Sequence, residues 1–352
     1  LIPLNSEYTR LREVLPSWDS AEAISLMGGS GTGKSKFIFR VAILDSLEYM
    51  SRNPDGMKVR ILINSLELSE LELYTMLVCY LFKKKLNIEI TREYLLNKFQ
   101  QQDIDKDLFD NLERIRPTIE FFSSWVTVKD DVRTGLAWFN YCKSILDDAG
   151  TVVDGKYVKK NEKLHFIIIT DTLNALSVPS GSTKLIEMTK FSAEYMKQIL
   201  RNFYGATCIQ TQQIEKGRQS SQFDNKGSRV DEKFLISASD GKDYKSSEDD
   251  NSLVLGIFLP HKYRLDKWEG FDVRMFNKKL TFLYVLKSNF TTTSVDEPIP
   301  FLADHVNLIY KEIPDPKAHP NLYEAFLKRH GIANTKSKFT FNPETQPDLF
   351  LE

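Results

Sequence analysis

Short apolar bursts rich in β-branched residues alternate along the chain with longer segments whose apolar residues recur at helical spacing. That alternation predicts an α/β fold, a mostly parallel sheet flanked by helices, because parallel strands are buried on both faces and need long crossovers. The first burst, Ala21–Met27, predicts a strand, followed by a helix from about Lys34 to Tyr49 with Phe37, Ile38, Val41, Leu44 and Leu47 on one face. Asn53–Gly56 (NPDG) predicts a turn into the strand Lys58–Asn64, and Leu68–Phe82 the next helix. Residues 86–118 read as short charged helices, Ile119–Ser124 as a strand, and Asp130–Ala149 as a helix ended by Gly150. Asp154-Gly155 predicts a hairpin turn, and Leu164–Thr170 (LHFIIIT) is the purest buried strand. A helix from Lys184 to Phe203 leads to the strand Ala206–Thr211. The polar stretch Glu215–Asn251 is too long for an ordinary connection and predicts a functional loop. Strands return at Ser252–Phe258 and Leu280–Leu286, and the tail after Pro314 is polar apart from a short helix near Asn321–Lys328. No internal repeat is visible.

At 352 residues and 41% apolar content the chain can bury a full core, as one large domain with appendages. Lys plus Arg (47) and Asp plus Glu (48) nearly cancel, so any site for a polyanion must be local. Cys79, Cys142 and Cys208 lie far apart in apolar segments, which predicts reduced core thiols and argues against zinc and disulfides. No apolar run reaches the ~18 residues that span a bilayer and no signal peptide is visible, so the expectation is a cytoplasmic protein without a membrane partner.

The chemistry concentrates at Gly28-Gly29-Ser30-Gly31-Thr32-Gly33-Lys34-Ser35, a full G-x-x-x-x-G-K-[ST] match between a strand and a helix, with Lys36 following. The glycines let backbone N–H groups curl around a phosphate, Lys34 reaches the outer phosphates of ATP, and Ser35 holds Mg²⁺. A magnesium site also needs a carboxylate beyond a neighbouring buried strand, and Asp171 follows five apolar residues and Thr170. The alternative for Asp171 is a turn or cap. Glu67 is the candidate base, standing beside the loop if the first two strands are sheet neighbours, the alternative being a helix-start glutamate. Gln212, at the end of a strand, is a candidate sensor of the outer phosphate or a solvated amide.

GGSGTGKS, INSLELS, IIITDTLNAL, CIQTQQIEKGR and FLYVLKSNF, in this order, resemble the RecA-like motor domain of bacterial and phage replicative helicases of the DnaB type, over about residues 15–312. The resemblance implies a RecA-like P-loop NTPase organised as linker 1–15, motor domain 16–312 and tail 313–352. It implies Lys34 and Ser35 as ATP and Mg²⁺ ligands, Glu67 as catalytic glutamate, Asp171 as second metal ligand and Gln212 as sensor. Lys287 matches a lysine that the family inserts into the neighbouring subunit's site. Two residues later the family has an arginine finger, worth about 10³ to 10⁵ in rate, but this chain has Asn289. Either Lys262 or Arg264 substitutes, or hydrolysis is slow. Lys216, Arg218, Lys226 and Arg229 are candidate grips on DNA phosphates, against the alternative of a solvated loop.

The function implied is that of an ATP-dependent helicase or translocase moving 5′ to 3′ on single-stranded DNA as a homo-hexamer, in a divergent phage or mobile-element relative in a bacterial cell. The alternatives are a RecA-like recombination ATPase and an ATP-gated replication adaptor or loader. Family partners are a primase and a helicase loader. The family's N-terminal primase-interaction domain is expected to be separate or removed, since the P-loop begins at Gly28, and LNSEYTRLREVLP is expected to pack on a neighbouring subunit. Gln346-Pro347-Asp348-Leu349-Phe350 resembles the Q-x-[SD]-L-F peptide that docks on the sliding clamp. The alternative is that Leu349 and Phe350 fold back on the chain itself.

Overall fold

The computed structural model describes residues 2–19, 21–214, 235–289 and 297–332. The chain forms two compact units, Leu1–Glu312 and Ile313–Glu352. Within the described part of the second, Pro320 opens a helix to Arg329, near where the sequence predicts one.

The strands of the first unit are, in order, β1 (Ala23–Gly28), β2 (Lys58–Ser65), β3 (Val126–Lys129), β4 (Gly150–Val153), β5 (Lys156–Lys159), β6 (Leu164–Asp171) and β7 (Thr207–Gln213). There follow β8 (Leu253–Phe258), β9 (Lys267–Trp268), β10 (Phe271–Asp272), β11 (Leu280–Ser288), β12 (Ile299–Asp304) and β13 (Ile309–Glu312). Nine of them form one sheet in the order β13-β12-β11-β8-β1-β7-β6-β2-β3. From β3 to β8 the pairings are parallel, and β8, β11, β12 and β13 pair antiparallel. This is the mostly parallel, helix-flanked sheet that the apolar pattern predicts. β4 and β5 form the separate hairpin signalled by Asp154-Gly155, both at positive φ.

Two apolar layers cover the sheet, and strand alternation deals residues between them: Ile167 and Ile169 enter one core, Phe166 and Ile168 the other. The first layer includes the helix over residues 34–52, and also Ile2, Tyr8, Leu11 and Trp18. The residues expected to act as a linker on a neighbouring subunit are thus packed into the core of their own unit. Arg10 reinforces this contact, its Nε donating to Glu312 at 3.3 Å.

Two expectations need correction. Ile119–Ser124 is not a strand but the end of the helix Lys106–Trp125. Leu108, Ile115 and Phe122 are its buried residues, two turns apart, so helical period overrides the local β propensity. The helix expected from Asp130 begins at Gly135, where the Thr134 hydroxyl accepts from Ala137 N at 3.3 Å. Among the described residues no helix is long and apolar enough to cross a membrane, and the three cysteines are free and buried.

Candidate nucleotide site

The carboxyl ends of β1, β7, β6 and β2 lie in a row, the edge of a parallel sheet where helix N-termini and loops converge. β1 delivers the glycine loop. Gly31 and Gly33 sit at φ +67° and +86°, a left-handed backbone that side chains disfavour. Gly28 is required for a different reason: a Cβ there would lie 2.7 Å from Ile257 Cγ2 and 2.9 Å from Ile257 O on β8. Gly29 O accepts from Thr32 N at 3.3 Å and from Thr32 Oγ1 at 2.8 Å, which closes the turn below the exposed Ser30. Gly33 caps the following helix without a side-chain acceptor. Its first-turn N–H groups are therefore donors for an anion.

Lys34 is buried and folds back over the loop, its Nζ donating to Gly28 O and Gly29 O at 3.1 Å each. Burial pulls its ammonium below the ordinary lysine range, with Asp171 and then Glu67 acting against that pull. Both candidate carboxylates therefore lie within electrostatic reach of Lys34. Asp171 ends β6 and is buried, with Oδ1 accepting from Thr211 Oγ1 at 2.5 Å. Ser35 and Asp171 line one cavity together with Ser65. A hydroxyl and a carboxylate facing one space suit a hard cation completed by phosphates and water. Among the described residues no cluster of three or more His, Cys, Asp or Glu side chains could hold an ion by itself.

Glu67 reaches this edge by a route other than the expected one. β1 and β2 are not neighbours, since β7 and β6 stand between them. Glu67 is exposed in a bend just past β2, two residues before Ser69 caps the next helix, and Glu70 and Glu72 take the helix-start positions. Its Oε1 accepts from Gln213 Nε2 at 2.7 Å. Gln212 turns the other way: it is buried, and its Nε2 donates to Tyr244 O at 2.5 Å and Lys242 O at 3.3 Å. The structure therefore brings Lys34, Ser35, Asp171 and Glu67 to one edge and sets Gln213, rather than Gln212, against the candidate base.

Lys36, half-buried, lies on the helix after the loop. Burial lowers its pKa, as does Arg92, while Asp304 raises it. Lys287 Nζ donates to the backbone carbonyl of Glu248 in its own chain, and Asn289 N to Ser252 O at 2.9 Å. Lys216, Arg218, Lys226 and Arg229, like Gln346, Leu349 and Phe350, lie outside the described residues. Sequence reasoning missed Gln213 and His305. His305 sits against Gly33, where a Cβ would meet its Cε1 at 2.8 Å, and burial pushes its pKa down to about 4. Strand alternation carries the signal for Gln213, while His305, on a connection between two strands absent from the expected set, has none.

No family model and no curated protein matches the sequence. Among solved structures the chain is similar to the ATPase domain of a DnaB-like helicase, with TM-score 0.61 and 14% identity over 88% of this chain and 91% of that one. It is similar also to "The Structure Of A DnaB-Like Replicative Helicase And Its Interactions With Primase", with TM-score 0.60 and 13% identity over 87% of this chain and 61% of that one. The chain thus spans less than two thirds of the second protein. The fold is the RecA-like P-loop fold of DnaB-like helicase ATPase domains.

Proposed function

We propose that the chain hydrolyses ATP with Mg²⁺ and uses the energy to move on single-stranded DNA as a ring, in the manner of a DnaB-type replicative helicase. The observation that carries the reading is the convergence of Lys34, Ser35, Asp171 and Glu67 at one sheet edge around a glycine loop with open N–H donors. Lys34 and the loop amides bind the outer phosphates. Ser35 and Asp171 hold the cation, which neutralises charge on the phosphates. Glu67 orients a water and takes its proton. The solved structures similar to this chain are those of DnaB-like helicase ATPase domains, which supports a motor over other uses of the fold. Lys216, Arg218, Lys226 and Arg229 grip the strand, and Gln346, Leu349 and Phe350 dock a sliding clamp.

Lys34→Ala should abolish nucleotide turnover, because no other loop side chain neutralises the transferring phosphate. Glu67→Gln should retain ATP binding and lose hydrolysis. Replacing the four basic loop residues by alanine should flatten the salt dependence of single-strand binding by about 0.7 in log–log slope per lost contact. Six-membered particles with DNA-stimulated turnover support the ring motor, a filament supports a recombination ATPase, and wild-type turnover in Glu67→Gln removes the catalytic assignment.

A further inference from the structure

The cation that Asn289 cannot supply has a replacement in the same chain. Pro260–Tyr263 form one tight turn just after β8. Pro260 is buried beneath it, Tyr263 stacks on Phe258 with ring centroids 5.1 Å apart, and Lys262 N donates to Leu259 O at 3.1 Å. This anchored turn aims Lys262 at the glycine loop: its Nζ lies 3.4 Å from where a Cβ on Gly31 would stand. Lys262 is close enough to Lys34 for the two ammonium groups to oppose each other, and partial burial lowers its own pKa. Among the described residues no carboxylate pairs with it. Beside it, the Nδ1 of His261 is buried without a hydrogen-bond partner. Two mutually repelling lysines and an unpaired imidazole nitrogen around a cradle of backbone N–H groups are stabilised together only by an anion.

We propose that Lys262 acts in cis as a phosphate-contacting lysine, neutralising the charge that gathers on the nucleotide's polyphosphate as its terminal bond breaks. This rests on the reading of the site as an ATPase. In that reaction water attacks the terminal phosphorus and gives its proton to Glu67. The bond to the bridging oxygen breaks, and its electron pair stays on the departing ADP. Lys262 adds a positive charge at the loop apex, on the side of the sheet opposite Glu67: β8 flanks β1 on one side, β7 and β6 on the other. Arg264, two residues on, is exposed with φ +56°, which ends the turn.

The test compares Lys262→Ala and Lys262→Arg with wild type, first by equilibrium binding of a non-hydrolysable ATP analogue and of AMP, then by turnover. Lys262→Ala should bind the analogue about five- to tenfold more weakly, bind AMP as wild type does, and lose about 10²-fold in turnover. Lys262→Arg should recover much of both. Mixing Lys262→Ala with Lys34→Ala subunits separates cis from trans action. A lysine acting in cis leaves every site lacking one of the two, so activity stays at the level of the separate variants. Rescue by mixing, or unchanged analogue affinity and turnover in Lys262→Ala, overturns the proposal. A wild-type protein that binds no ATP analogue overturns the ATPase reading itself.

Discussion

The buried amide of Gln212 provides a quantitative test of what this position does. Gln212 has no exposed surface, and its Nε2 donates to Tyr244 O at 2.5 Å and Lys242 O at 3.3 Å. It occupies the space left by Gly241, where an added Cβ would overlap both the Gln212 amide and the Tyr244 carbonyl. Gln212→Ala leaves the Tyr244 carbonyl without this donor, a cost of about 1–3 kcal/mol, and the lost amide volume adds ~1 kcal/mol. The expected destabilisation is about 2–4 kcal/mol, read as a shift of urea midpoint at constant slope. Gly241→Ala should cost about 1–3 kcal/mol by overpacking. The two changes act on one space, so the double variant should be more stable than the sum of the singles, with a coupling of ~1 kcal/mol. Part of the Gly241→Ala cost survives, because the overlap with Tyr244 O remains. Additive effects, or a Gln212→Ala protein of wild-type stability that has lost discrimination between ATP and ADP, would refute this account and restore the sensor role.

Gln213→Ala should lower kcat several-fold with little change in KM, because it removes the 2.7 Å donor that orients the exposed Glu67 carboxylate without touching the phosphate cradle. Gln213→Glu should be worse than Gln213→Ala, since it places a like charge against Glu67; equal kcat in all three proteins would remove Gln213 from the site. Burial pushes the His165 pKa down to about 4, so between pH 6.5 and 4 the unfolded chain binds a proton that the folded chain refuses, and stability falls as pH falls through that window. His165→Asn should remove up to about 3 kcal/mol of this acid-induced loss, measured as a shallower decline in denaturation midpoint than wild type between those pH values, and identical declines would contradict it.

Much of the sheet was legible because buried parallel strands require unbroken apolar runs, and LHFIIIT and ILIN can be little else. The glycine loop was legible because backbone at φ +67° and +86° admits few residues other than glycine. Ile119–Ser124 misled because two adjacent phenylalanines look strand-like in a short window, while the seven-residue spacing of Leu108, Ile115 and Phe122 shows only over a longer one. β12 and β13 carry only six and four residues and pair antiparallel at the edge, where no long apolar run is needed. The sheet neighbours of Glu67 were illegible in principle: no local pattern states that β6 and β7 insert between β1 and β2.

The pair Gln212-Gln213 shows how the site and the loop beyond it are joined. Side chains alternate along β7, so one glutamine must face away from the other, and sequence alone does not say which faces Glu67. Gln213 does, and its backbone carries the contact onward: its N donates to Asn174 Oδ1 at 2.7 Å, and its carbonyl accepts from Lys242 N at 2.8 Å. Asn174 Nδ2 in turn donates to Lys242 O at 2.6 Å, and Ile214 bridges to Gly241. The two chain ends flanking the 215–234 segment are therefore fastened to each other within two residues of the amide that holds Glu67. A shift of Glu67 that breaks its bond to Gln213 frees the residue on which the Asn174 and Lys242 bonds converge. This arrangement gives a direct route by which the chemical state of the sheet edge changes the anchoring of the segment bearing Lys216, Arg218, Lys226 and Arg229.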